Sequence, residues 1–157
     1  MVLLYKNGGW RRIRVDDAFP TDRHQRLLFV RSKGGDELWP MLLEKAYAAY
    51  YGGYGNIEGG FVHVGLVDLT GGFGEKISLR DNDGSVADEA VIVRQLEQHS
   101  KNGDLIGAGS TNGRDTDATP DGIVKGHAYA ILRVEKVDGL ALVQLRNPWG
   151  ESDWSGR

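Results

Sequence analysis

The sequence predicts an α+β fold, and three stretches carry that prediction. Residues 126–150 read as a β-hairpin, with alternation placing His127, Tyr129, Ile131 and Arg133 on one face and Ala128, Ala130, Leu132 and Val134 on the other, and with Asp138-Gly139 as the turn. A helix is expected from about Asp36 to Gly52-Gly53, where Leu38, Trp39, Leu42, Leu43, Ala46, Tyr47 and Tyr50 recur at helical spacing. A second is expected over about Val86–Lys101, with Ser85 and Asp88 at its start and Gly103 just past its end.

The remaining elements follow in chain order. Val2–Lys6 and Trp10–Val15 flank Asn7-Gly8-Gly9, a good hairpin signal. A loop runs to Arg26, followed by an apolar strand Leu27–Arg31 and a turn at Ser32–Gly35. Pro40 is tolerated in the first turn of its helix, where its missing N–H is not needed. Tyr54–Gly60 is a glycine-rich loop, Phe61–Asp68 alternates weakly, and Glu75–Leu79 and Leu105–Ala108 are short strands. Ser110–Asp121 is a polar surface excursion.

Composition narrows the function classes. A chain of 157 residues with 40% hydrophobic and 26% charged residues is long enough for one domain with a real core. The net charge of −3 and the lack of a dense basic cluster speak against nucleic acid as a partner. No apolar run approaches the roughly 20 residues that span a bilayer. The opening Met-Val-Leu-Leu-Tyr-Lys is too short for a secretory signal, so a cytoplasmic location is expected. The chain contains no cysteine, hence no disulfide, no zinc-thiolate site and no thiol nucleophile. Three apparent motifs fail on spacing. Asp81-Asn82-Asp83-Gly84 lacks the remainder of an EF-hand loop. Gly71–Lys76 lacks the ending of a phosphate loop. His24, His63 and His99 form no metal-ligand pattern.

The chemistry rests on the terminal hairpin. A two-residue turn would pair Val137 with Leu140 and set Asn147 on the face opposite His127. A three-residue turn with a bulge at Gly139 would pair Lys136 with Leu140 and Tyr129 with Asn147. In that second register, the one expected here, His127 and Asn147 are diagonal neighbours roughly 7–8 Å apart at the backbone. A histidine held by an amide oxygen can draw the proton from a thiol whose thiolate then attacks a peptide carbonyl. Residue types alone also fit an ordinary structural histidine and an Asn-Pro-Trp-Gly turn.

Motif order decides further. Gly126-His127-Ala128-Tyr129 followed by Leu145-Arg146-Asn147-Pro148-Trp149-Gly150 resembles the second half of the calpain protease core. Val15-Asp16-Asp17, Phe19-Pro20, Leu28-Phe29-Val30, Glu37-Leu38-Trp39, Leu42–Ala48, Glu58-Gly59-Gly60 and Asp68–Gly72 fall in calpain order before it. Leu105–Ser110 and Gly122–His127 are most similar to the plant and protist type. The resemblance implies part of a papain-like cysteine protease core. Residues 1–60 would be the C-terminal part of the cysteine-bearing subdomain, without its nucleophile helix. Residues 61–157 would be the His/Asn-bearing β subdomain, truncated at its C-terminus.

By the same resemblance His127 is the catalytic base, Asn147 its orienter and Trp149 the shield of their hydrogen bond. Gly60 and Gly126 would bind substrate backbone. Calpains are calcium-switched, so calcium is implied as the cofactor of the intact enzyme. Glu37 and Asp153 would each contribute a ligand to one of two sites, neither of them complete in this chain, because calcium takes about six to eight oxygens. The implied partners are protein substrates and the cysteine-bearing part of the core, on the same polypeptide or another. Without a cysteine, this chain alone is expected to be inactive, and without the helix that would pack against Leu42 and Ala46 it is expected to be marginally stable and poorly soluble. The alternative is a non-catalytic calpain-like scaffold or binding module.

Overall fold

The structure, a computed structural model, describes residues 1–32, 34–81 and 83–150. It meets the α+β expectation and divides into two compact units, Met1–Gly74 and Glu75–Arg157. Among the described residues, no helix is long and apolar enough to cross a membrane.

The first unit opens with a hairpin of β1 (Val2–Lys6) and β2 (Gly9–Ile13). Lys6 pairs with Gly9 across Asn7 and Gly8, whose φ angles of 51° and 76° suit a type I′ turn. Alternation along β1 buries Leu4 and Lys6 together. Helix α1 (Trp39–Tyr51) carries Pro40 in its first turn and stops at Gly52, which takes the left-handed conformation. It begins later than Asp36, and its cap position, Leu38, makes no side-chain cap bond.

Two stretches differ from expectation. Residues 62–70 are not extended but form a helix, α2 (Val62–Thr70), which packs on β1 and ends at Gly71. The run Leu27–Arg31 is no strand: it makes one isolated bridge, Thr21 to Leu27. Phe29 sits at φ 64° with its ring stacked on Tyr54, centroids 4.3 Å apart, so tertiary packing overrides the β-propensity of the run.

A buried polar cluster ties these elements together. Lys6 of β1 donates to Asp68 of α2 and to the Tyr51 hydroxyl of α1. Tyr47 and Tyr51 donate to the same Asp68 oxygen at 2.7 and 2.8 Å. Burial, then the bond to Asp68, pushes the Tyr47 phenol well above its usual range.

The second unit is a three-stranded antiparallel sheet with a helix on it. Its order is β3 (Ile106–Gly109), β4 (Ala128–Val137), β5 (Leu140–Arg146). Helix α3 (Glu89–Asn102) packs on β4. Asp88 caps it, accepting from the Ala90 and Val91 amides, and Gly103 ends it. The helix thus starts three residues later than its pattern predicts, because Asp88 rather than Ser85 satisfies its free N–H groups. No strand forms over Glu75–Leu79.

Candidate active site

The site is built on the β4–β5 hairpin, and its register reaches the expected result by another route. The turn has two residues, with Val137 paired to Leu140 and both Asp138 and Gly139 at positive φ. The extra residue lies further along: the pairing slips between Ile131 and Arg133, leaving Leu132 as a bulge. Beyond it Ala130 pairs with Arg146, and continuing that register brings Asn147 opposite Tyr129.

His127 precedes the first residue of β4, at the end of a lobe that closes on itself. Within residues 111–126, Ala118 bridges Val124, Thr119 N–H donates to the Ile123 carbonyl at 2.8 Å, and Lys125 N–H donates to the Asp117 carbonyl at 2.8 Å. The polar excursion is therefore bound down rather than loose. Gly126 has φ 55°, and a Cβ there would overlap the Gly113 carbonyl oxygen, so only glycine fits. Ser110 bonds to both main-chain polar groups of His127. Tyr129, buried, accepts from the Val124 amide at 2.9 Å and sets its ring edge-on to the imidazole, centroids 5.0 Å apart.

Asn147 is 8% exposed. Its Oδ1 accepts the Trp149 N–H at 3.1 Å and lies 2.9 Å from His127 Nε2. A backbone N–H can only donate, so the amide atom facing it is the oxygen. The imidazole nitrogen that meets the same oxygen must then carry a proton. The lone pair consequently sits on Nδ1. The Trp149 ring lies 4.4 Å from the imidazole, centroid to centroid, tilted by 48°, and the residue is 47% exposed. An imidazole held in this way can accept a proton at one defined atom and hand it on.

The structure thus brings together His127, Asn147, Trp149 and Gly126. Gly60 and Glu37 lie in the first unit, both exposed, Glu37 in the segment before α1. Among the described residues, no three acidic or histidine side chains converge, at Glu37 or elsewhere. Asp153 lies outside the described residues. Ser110 and the bulge at Leu132 escaped the sequence reading. The one available signal for Ser110 was its place directly after the strand that pairs with β4.

The site is thus a histidine–amide pair at the open end of a β-hairpin in an α+β chain. The chain belongs to the calpain family: the family model described as calpain family cysteine protease matches residues 1–157. The family implies a papain-like core. The chain is 44% identical over 151 residues to the calpain-type cysteine protease ADL1 of Oryza sativa subsp. japonica, covering 95% of this chain and 7% of that protein. It is 43% identical over 151 residues to the calpain-type cysteine protease DEK1 of Arabidopsis thaliana, with the same coverages. To Calpain-12 of Mus musculus it is 40% identical over 157 residues, covering 98% of this chain and 21% of that protein. The chain therefore spans a small fraction of the relatives it matches.

Proposed function

We propose that this chain supplies the base and its orienter to a calpain-type cysteine endopeptidase, with the thiol coming from residues outside it. The observation that carries this reading is the 2.9 Å contact between His127 Nε2 and Asn147 Oδ1, with the oxygen anchored by Trp149 N–H. In the reaction, Nδ1 takes the thiol proton and the thiolate sulfur bonds to the substrate carbonyl carbon. The imidazolium then protonates the leaving nitrogen as the C–N bond breaks. Water then gives a proton to His127 Nδ1 as its oxygen bonds to the acyl carbon; the C–S bond breaks, and the sulfur takes that proton back to restore the thiol. Gly60 and Gly126 would bind the extended substrate, and Trp149 would keep water from the His127–Asn147 bond.

The cysteine-bearing part of the core is the partner this reading needs. The first unit offers an open apolar cavity of about 440 Å³, lined by Val30, Trp39, Leu43, Glu44, Ile57 and Leu69, among others, which suits a packed apolar partner. Calcium belongs to the same proposal, through Glu37 and Asp153 in the intact enzyme; the described side chains do not form a calcium site by themselves.

The test is a joined core, with the cysteine-bearing part preceding this chain or supplied beside it, assayed for calcium-triggered peptide cleavage. His127→Ala is expected to lower kcat by about 10³-fold or more, as loss of a paired base does. Undiminished cleavage by that variant would refute the reading. The absence of cysteine from this chain favours a second reading, a non-catalytic binding module. A native polypeptide with no cysteine upstream and no cysteine-bearing partner would establish that one instead.

A further inference from the structure

We propose that Ser110 is a positioning residue for His127, a role that rests on reading His127 as the base. Neighbouring antiparallel strands exchange N–H···O=C bonds between their main chains. Where β3 and β4 run out, half of that exchange passes to a side chain. Ser110 N–H donates to the His127 carbonyl at 2.9 Å, as a ladder requires. The His127 N–H donates instead to the Ser110 hydroxyl, at 2.9 Å. That hydroxyl donates in turn to the His127 carbonyl at 3.1 Å. One side chain thus serves both polar groups of His127. On the neighbouring residue, Gly126 N–H donates to the Thr111 carbonyl at 2.8 Å.

The placement matters because an imidazole has only two rotatable bonds, so its main chain fixes where Nε2 can lie. Asn147 is held by a different strand end. The 2.9 Å bond between them forms only if both backbones are set independently and correctly. Hydrogen bonds weaken as they lengthen and bend, so a displaced His127 main chain weakens the hold of Asn147 on the Nε2–H tautomer. Alanine at 110 leaves the half-buried His127 N–H without its acceptor, whereas threonine keeps the hydroxyl.

The experiment uses the joined core, this chain together with the cysteine-bearing part, labelled with ¹⁵N. Amide exchange at His127 and the ¹⁵N signature of its ring are compared in the native sequence, Ser110→Ala and Ser110→Thr. Ser110→Ala is expected to speed His127 amide exchange roughly tenfold, the worth of one hydrogen bond, and to turn a single Nε2–H tautomer into a mixture. Ser110→Thr is expected to match the native chain, and protection over Val134–Val137 to stay unchanged. Native exchange and a single tautomer in Ser110→Ala would overturn the proposal. So would protection lost along the whole of β4, which marks a general structural role, or a threonine variant that behaves like alanine. An inactive joined core with the native sequence would sink the catalytic reading alone, since neither readout here depends on cleavage.

Discussion

Replacing Asp68 by alanine strikes the most buried charge of the first unit. The carboxylate is 4% exposed and takes three hydrogen bonds on one oxygen, from Tyr47, Tyr51 and Lys6. Its removal leaves the Lys6 ammonium, 8% exposed, without a counter-charge. Breaking a buried pair from one side typically costs about 3–5 kcal/mol. The Tyr51 ring, 4.2 Å from the Lys6 nitrogen at its centroid, offsets part of this, so about 3 kcal/mol is expected. A 74-residue unit has roughly 4–11 kcal/mol in total at ordinary stability per residue, so the variant unit should keep only about 1–8 kcal/mol. Hydrogen exchange in urea, followed on peptides from residues 1–74 with peptides from 75–150 as the internal control, measures this. The double variant Lys6→Met with Asp68→Leu removes both charges and should cost at least about 2 kcal/mol less than the two single changes summed. A single variant within about 1 kcal/mol of the native chain would refute the reasoning, because that is the size of an ordinary surface change.

The same pair sets a pH window. Burial pulls the Lys6 pKa down, but the bonds to Asp68 and Tyr51 outweigh it and leave it raised. Its contribution is therefore complete below about pH 10.4, the ordinary lysine value, and is lost as pH rises through the higher folded value. Burial pushes the Asp68 pKa up, but the bonds from Lys6, Tyr47 and Tyr51 outweigh that and leave it lowered. Its contribution is present above about pH 3.9 and is lost as pH falls through the lower folded value. Between those limits neither Lys6 nor Asp68 adds a pH dependence to the urea midpoint of the first unit, whereas Glu44, whose pKa burial raises, makes the midpoint fall as pH rises above the ordinary glutamate value.

Three further outcomes test other parts of the chain. Asn147→Ala frees the His127 ring and should lower kcat of a joined core by about 10²–10⁴-fold with little change in KM; an unaltered kcat removes Asn147 from the site. Gly126→Ala meets the Gly113 carbonyl in a left-handed conformation and should destabilise the second unit by about 1–3 kcal/mol in urea unfolding. Asp88→Ala deletes the bonds to the Ala90 and Val91 amides and should cost α3 about 1 kcal/mol, read from exchange in its first turn.

What was legible in the sequence was local. Asn7-Gly8 needs only its own two positive φ angles to close a hairpin, and Gly52 and Gly103 end their helices in the same way. Helix α2 was hidden because its cap position, Phe61, makes no side-chain cap bond and its valines favour strands; packing on β1 makes it helical. The Lys6–Asp68 pair joins residues 62 apart, and no periodicity reports such a partner. One clue was present: alternation sets Lys6 on the face of Leu4, and a lysine on a core face needs a counter-charge. His127 and Asn147 could be named because Gly126–Tyr129 and Leu145–Gly150, at the two ends of one hairpin, resemble calpain motifs.

Their meeting nevertheless depends on a feature the turn residues do not encode. Asp138-Gly139 already satisfies a two-residue turn, so the strands leave it in the register that pairs Val137 with Leu140. Carried without interruption to the open end, that register sets Ala130 opposite Asn147 and turns the amide to the wrong face. An odd number of extra residues on β4 is required before the site can form. Gly139 could have absorbed one, but a turn that is already unstrained gives no reason to. Leu132 is 55% exposed, so its side chain gives up little burial by standing in a bulge. The slip between Ile131 and Arg133 then shifts every later pairing by one. The distance from Asn147 Oδ1 to His127 Nε2 is thus set five residues from the histidine, in the middle of a strand whose alternating pattern gives no sign of it.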